Sequence, residues 1–129
     1  MIAADTNVWA RAYLDDDAAQ SATARASIKA ACEAGGIFVP LLVLAELAWV
    51  LRSRWERERV LQTLEEIFTA GGVVVESRAL AEKALTASRA GAAGFADLLI
   101  AEIALSAGTS EIITFDKAFG RHTHVRRLR

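Results

Sequence analysis

The sequence predicts an α/β domain built on a parallel sheet. Short apolar runs without polar alternation, such as "IFVP" and "VVVE", suit strands covered on both faces. One or two helical stretches separate each such run from the next, the order that places consecutive strands side by side and parallel. Glycines at 35–36 and 71–72 close the helical stretches that precede two of these strands.

Each element follows from its own residues. "MIAADTN" reads as a short buried strand ending in an Asp-Thr-Asn turn, and "VWARAYL" as a helix interrupted by Asp15, Asp16 and Asp17. The Ala-rich stretch from about 18 to 34 continues as helix until the glycines stop it. "IFVP" is the second strand, and residues 41–54 and 56–70 form a helix pair. The β-branched run in "VVVE" is the third strand. Helix returns over "SRALAEKALTASRAG" and "FADLLIAEIALSAG", each closed by glycine. "EIITF" is a fourth strand, "DKAFG" a turn or single helical turn, and "HVRRL" an edge strand. No repeat, low-complexity tract or linker interrupts this order, so residues 1–129 read as a single domain.

A chain of 129 residues is long enough to bury one sizeable core. Fifteen basic and sixteen acidic residues leave a net charge of −1. That balance excludes a protein that coats nucleic acid by overall charge, and any such contact must come from local patches. One cysteine, Cys32, excludes an internal disulfide and a cysteine-based zinc site. No secretory signal opens the chain, and no apolar run approaches the ~20 residues that cross a bilayer. The expectation is a soluble cytoplasmic protein.

The chemistry lies in four acids. In open parallel sheets, ligands bind beyond the carboxyl ends of the strands. Asp5 follows the first strand and Asp116 directly follows "EIITF". Asp97 stands three residues into the helix that precedes the fourth strand, and Glu46 lies early in the helix after the second. Singly, Asp5 also reads as a helix N-cap, Asp116 as a turn residue, and Asp97 as an acid favoured by its helix dipole. Glu46 has only apolar neighbours in "LLVLAELAWVL", which predicts a carboxylate pointing into protein. Clustered carboxylates repel, and a hard divalent cation relieves that repulsion. Oxygen ligands without Cys or His select Mg²⁺ or Mn²⁺. A water on such an ion can attack a phosphodiester.

The order "ADTNVWARAYL", "LLVLAELAWVL", "GFADLLIAEIA", "IITFDKAF" resembles the PIN-domain ribonucleases, and among them the VapC-type toxins of bacterial toxin–antitoxin pairs. The match runs from Asp5 to Phe119. The resemblance implies a three-layer α/β/α sandwich around a parallel sheet of four or five strands. It implies Mg²⁺- or Mn²⁺-dependent cleavage of single-stranded RNA, with Asp5, Glu46, Asp97 and Asp116 as the catalytic and metal-binding acids. Thr6 and Thr114 match positions whose hydroxyl orients a carboxylate, and Asn7 completes the first motif. Gly94 stands where many relatives carry a further acid, which favours a single well-held ion. The resemblance also implies a homodimer and a cognate antitoxin whose tail blocks the acidic pocket.

A groove near Trp9, Tyr13, Trp49 and Trp55 would suit that tail, although Trp9 and Trp49 read more simply as core and Trp55 as near-surface. Arg52, Arg54, Arg57 and Arg59 in "RSRWERER" could steer RNA phosphates, while alternating charge on a solvated helix end is the plainer reading. The basic tail "RHTHVRRLR" offers a second RNA contact, and Asp15–Asp17 read as a solvated turn. Two alternatives stay open: a PIN fold that only binds a partner, and a receiver-like Mg²⁺-binding regulatory domain. The latter needs a lysine after a late strand and an aspartate after a middle one. Lys117 instead adjoins Asp116, and "VVVE" ends in Glu76.

Overall fold

The computed structural model describes all 129 residues. They form two compact units, Met1–Glu76 and Ser77–Arg129. The fold is α/β, with six helices and five short strands whose pairings are all parallel. No helix is long and apolar enough to cross a membrane.

In the first unit, β1 (Ile2–Ala3), β2 (Ile37–Val39) and β3 (Val73–Val75) lie in the order β1-β2-β3. Ile2 is in register with Ile37, and Ile37 with Val73. Helix α1 (Thr6–Tyr13) begins where the Asp5 carboxylate accepts the Val8 N–H at 3.1 Å, satisfying a donor that the first turn leaves open. Asp17 does the same for α2 (Ala18–Glu33) through the Gln20 N–H at 3.0 Å. The buried residues of α2 are small (Ser21, Ala24, Ala31), which lets its backbone approach α1 closely.

Helix α3 (Leu41–Arg52) follows Pro40, and its first turn is capped from outside. The Leu41 N–H donates to Glu76 Oε1 at 2.8 Å, so the acid that ends "VVVE" is a helix cap. Helix α4 (Arg57–Thr69) packs on α3 and β3 through Val60, Leu61, Leu64, Ile67 and Phe68, an apolar stripe at helical spacing. Gly72, at φ +84, turns the chain into β3 against the backbone of Cys32.

In the second unit, α5 (Arg78–Ala90) and α6 (Phe95–Ser106) pack together through Ala81, Ala84 and Leu85 of α5 and Phe95, Leu98, Leu99 and Ala101 of α6. Strands β4 (Ile112–Thr114) and β5 (Val125–Arg127) pair in register Ile112 to Val125. A 3₁₀ turn at Phe119–Arg121 joins them and buries Phe119. Arg126 of β5 grips Glu111, just before β4, through both Nε and Nη2, the shortest contact being 2.8 Å.

The expectation that all strands are buried on both faces needs correction. Only β2, with neighbours on both sides, approaches it. β1 is exposed, Val74 of β3 faces solvent between buried Val73 and Val75, and Ile113 of β4 is exposed. Each of these strands is at an edge of its sheet, where fewer neighbours cover the apolar run.

Candidate active site

The first unit brings two of the four acids to one place. Asp5 ends β1 and caps α1 with one carboxylate oxygen, and the next residue, Thr6, donates its hydroxyl to Glu46 Oε1 at 3.0 Å. Three consecutive decisions of the chain, strand end, N-cap and helix start, therefore fix the Asp5 backbone beside a hydroxyl that holds the Glu46 carboxylate. Helices α1 and α3 pack against each other, which keeps the bond between residues 40 positions apart in place. Asn7 is exposed in the first turn of α1.

Glu46 itself is exposed, contrary to the burial expected from its neighbours. Helix α3 buries Val43, Leu44, Leu47, Ala48 and Leu51, and turns Leu42, Glu46, Trp49 and Val50 outward. Before Arg52, which ends the helix, the outward residues are apolar apart from Glu46, so composition alone could not separate the two faces. Trp49 is 72% exposed, where the sequence suggested core. Trp9 is buried at 2%.

In the second unit, Asp116 follows β4 and its turn is closed by two short bonds. Its N–H donates to Thr114 Oγ1 at 3.0 Å, and its Oδ2 accepts the Phe119 N–H at 2.7 Å. Asp97 lies in the first turn of α6, where the helix dipole favours a negative charge, and is half-buried. Gly94 occupies the N-cap of α6 in an extended conformation and supplies no side-chain cap. His122 and His124 lie between the 3₁₀ turn and β5, with His124 at φ +65.

The donor chemistry fits a hard divalent cation. Nowhere in the chain do three acids, histidines or cysteines form a group that would hold an ion. Mg²⁺, however, is commonly held by one or two carboxylates and keeps several waters. Asp5 and Glu46 each commit one oxygen to a bond within the protein, leaving Asp5 Oδ2 and Glu46 Oε2 for such a role.

The arginines of "RSRWERER" lie in different surroundings. Arg54 reaches Asp16 at 3.5 Å, and the Arg59 guanidinium stacks 3.7 Å above the Trp55 ring. Arg52 is exposed in the last turn of α3, and Arg57 is exposed at the start of α4. The acidic run is more than a solvated turn. Asp16 also binds Arg11 at 2.6 Å, and Asp15 accepts from Ser21 and Arg25. The Arg11 bond is the main reason the Asp16 carboxyl titrates below the usual aspartate range.

Trp55 and Arg59 also line a cleft of about 340 Å³ with Ala12, Tyr13, Gln62, Thr63 and Glu66. Burial, with smaller contributions from Glu66 and Cys32, pushes the Tyr13 hydroxyl to a higher pKa. The sequence pointed to Tyr13 and Trp55 but missed Gln62, Thr63 and Glu66. Their signal was present: with Arg59 they recur at i, i+3, i+4 and i+7, one face of α4.

The model of one family, the PIN domain, matches residues 2–125. No curated protein and no solved structure matches the chain. PIN domains are generally nucleases and typically depend on divalent metal ions. The matched stretch holds all four acids and every strand but the last two residues of β5, and the chain belongs to the PIN domain family.

Proposed function

We propose that the protein is a metal-dependent endoribonuclease that cleaves single-stranded RNA and acts as the toxin of a toxin–antitoxin pair. The observation that carries this reading is the Asp5–Thr6–Glu46 arrangement inside a PIN match. Asp5, Glu46, Asp97 and Asp116 are its proposed catalytic and metal-binding acids. A bound Mg²⁺ or Mn²⁺ supplies an activated water and offsets phosphate charge. The chain's own part is positioning. The α1 N-terminus fixes Asp5, Thr6 fixes the Glu46 carboxylate, and the Thr114 and Phe119 bonds fix the turn at Asp116. These bonds reduce the rotamer freedom that each acid would otherwise lose on engaging the ion.

The proposed partners are RNA, a second copy of the chain and a cognate antitoxin, in the cytoplasm. The cleft beside Tyr13 and Trp55 supports the antitoxin reading, since Glu66 offers an acid at an aromatic-lined concavity. Arg52, Arg54 and Arg57 are proposed to contact substrate, with Arg54 having to leave Asp16 to do so.

Incubation with total RNA and Mn²⁺ should produce new 5′ ends, and excess EDTA should abolish them. Asp5→Asn and Asp97→Asn should each lower cleavage by about a hundredfold or more, the scale of losing one electrostatic group at a reacting centre. Expression should arrest growth, and Asp116→Asn should not. Full cleavage in EDTA would overturn the reading.

A further inference from the structure

The exposed side of α3 asks for an occupant. Trp49 is 72% exposed and Leu42 70%, on the stripe that also carries Glu46. A tryptophan this open to water is unusual, because its ring forfeits a large burial gain. Glu46, Trp49 and Arg52 recur every third residue. Successive members are therefore about 4.5 Å apart along the axis and about 60° apart around it. An acid, an aromatic ring and a cation thus follow one another along one side of a single helix.

We propose that Trp49 is the platform on which an unpaired base of the RNA substrate stacks, with Arg52 holding a neighbouring phosphate. The proposal deepens the ribonuclease reading and rests on it for the choice of RNA as ligand. Every base has a π-face, so stacking on one ring suits single strands of varied sequence. Arg52 is the cation placed to assist, since Arg54 is engaged with Asp16 and Arg59 with Trp55. A protein occupant suits the stripe less well. Burying Leu42, Trp49 and Val50 against another chain would also take the Glu46 carboxylate out of water, and that chain would have to bring a cation to Glu46 to offset the cost. A single strand laid over the ring leaves that carboxylate open.

The test is equilibrium binding of a short fluorescein-labelled oligouridylate in EDTA, where no cleavage intervenes, to wild type, Trp49→Ala, Trp49→Phe and Arg52→Ala. Trp49→Ala should weaken binding by about tenfold or more, as loss of one stacking aromatic does. Trp49→Phe should recover most of that loss. Arg52→Ala should shallow the salt dependence by about 0.7 in log–log slope. Circular dichroism melts should be unchanged, because both side chains are exposed.

Equal affinity for wild type and Trp49→Ala overturns the proposal, as does failure of the wild type to bind. If Trp49→Ala halves the mass in solution while RNA affinity stays constant, the stripe is an interface between copies and the proposal fails. RNA binding that depends on Trp49 without Mn²⁺-dependent cleavage would remove the ribonuclease reading alone. Cleavage with unchanged Trp49→Ala affinity would remove only the stacking role.

Discussion

Gly72 packs so closely on the backbone of Cys32 that no side chain fits there. Glycine after a helix signals a chain reversal, and the reversal at Gly72 was legible from "AGGVVV". The reason it must be glycine was not, because that depends on a residue 40 positions earlier. Gly72 sits at φ +84, and an added Cβ would lie 2.7 Å from Cys32 Cα as well as overlapping the Cys32 carbonyl. Backbone cannot yield as a flexible side chain does. Gly72→Ala should therefore destabilise the protein by about 2 kcal/mol or more, combining left-handed strain with overpacking. Urea unfolding would check this, and Gly71→Ala is the control, since nothing lies within 4 Å of its added Cβ. Glu46 marks the opposite case. Its apolar neighbours implied burial, but a helix rotates 100° per residue, and five of the twelve positions of α3 face outward whatever their chemistry.

Element boundaries were largely legible because caps and glycines write them into the chain. Asp17 before "AAQSA" and the glycine pairs place the ends of α2 and α4 to within a residue or two. Which face of an element is covered was less accessible. For α4, whose polar and apolar residues segregate, the covered face could be read; for α3, which is apolar nearly all round, it could not. The Asp15–Asp17 turn shows a further limit. Its partners Arg11, Ser21, Arg25 and Arg54 come from three helices or their ends, and no local pattern announces them.

This turn gives a pH prediction. Asp16 has a folded-state pKa below the ordinary 3.8, chiefly through its hydrogen bond from Arg11. A depressed carboxylate contributes stability that is present above the unfolded pKa and lost as pH falls through the folded one. Asp16→Asn should therefore lower the melting temperature at pH 7, and the difference from wild type should shrink as pH drops below about 4. A difference that stays constant down to pH 2.5 would show that Asp16 acts by packing rather than charge.

At the scale of the whole chain, the order of motifs carried more than any one of them. "DTN", a glutamate in an apolar helix, "FAD" and "TFD" are each common, yet in sequence they identified the family that matches residues 2–125. The covalent order of elements was legible because local signals mark it, the Asp5 and Asp17 caps at the starts of α1 and α2 and the glycine pairs before β2 and β3. The grouping of five strands into a three-stranded and a two-stranded sheet was not, since pairing partners are set by tertiary packing.

Metal binding couples the acids to the stability of the whole fold, and this separates a ligand from a structural residue. Glu46 is exposed, so in EDTA its replacement by glutamine should change the melting temperature little; the amide can still accept the Thr6 hydroxyl. Mn²⁺ at a hundred times its dissociation constant should stabilise the native wild type by about 2.7 kcal/mol. If Glu46→Gln weakens the ion tenfold, the increment at the same concentration falls by about 1.3 kcal/mol. For a chain of this length that is a shift of roughly 5 °C in melting temperature, well within measurement. Thr6→Val tests the positioning bond in the same assay. It should leave the EDTA melt nearly unchanged and lose part of the Mn²⁺ increment, because a freed Glu46 must be ordered by the ion itself. Equal losses with and without Mn²⁺ would make the Thr6–Glu46 bond a clamp between α1 and α3, with no part in holding metal.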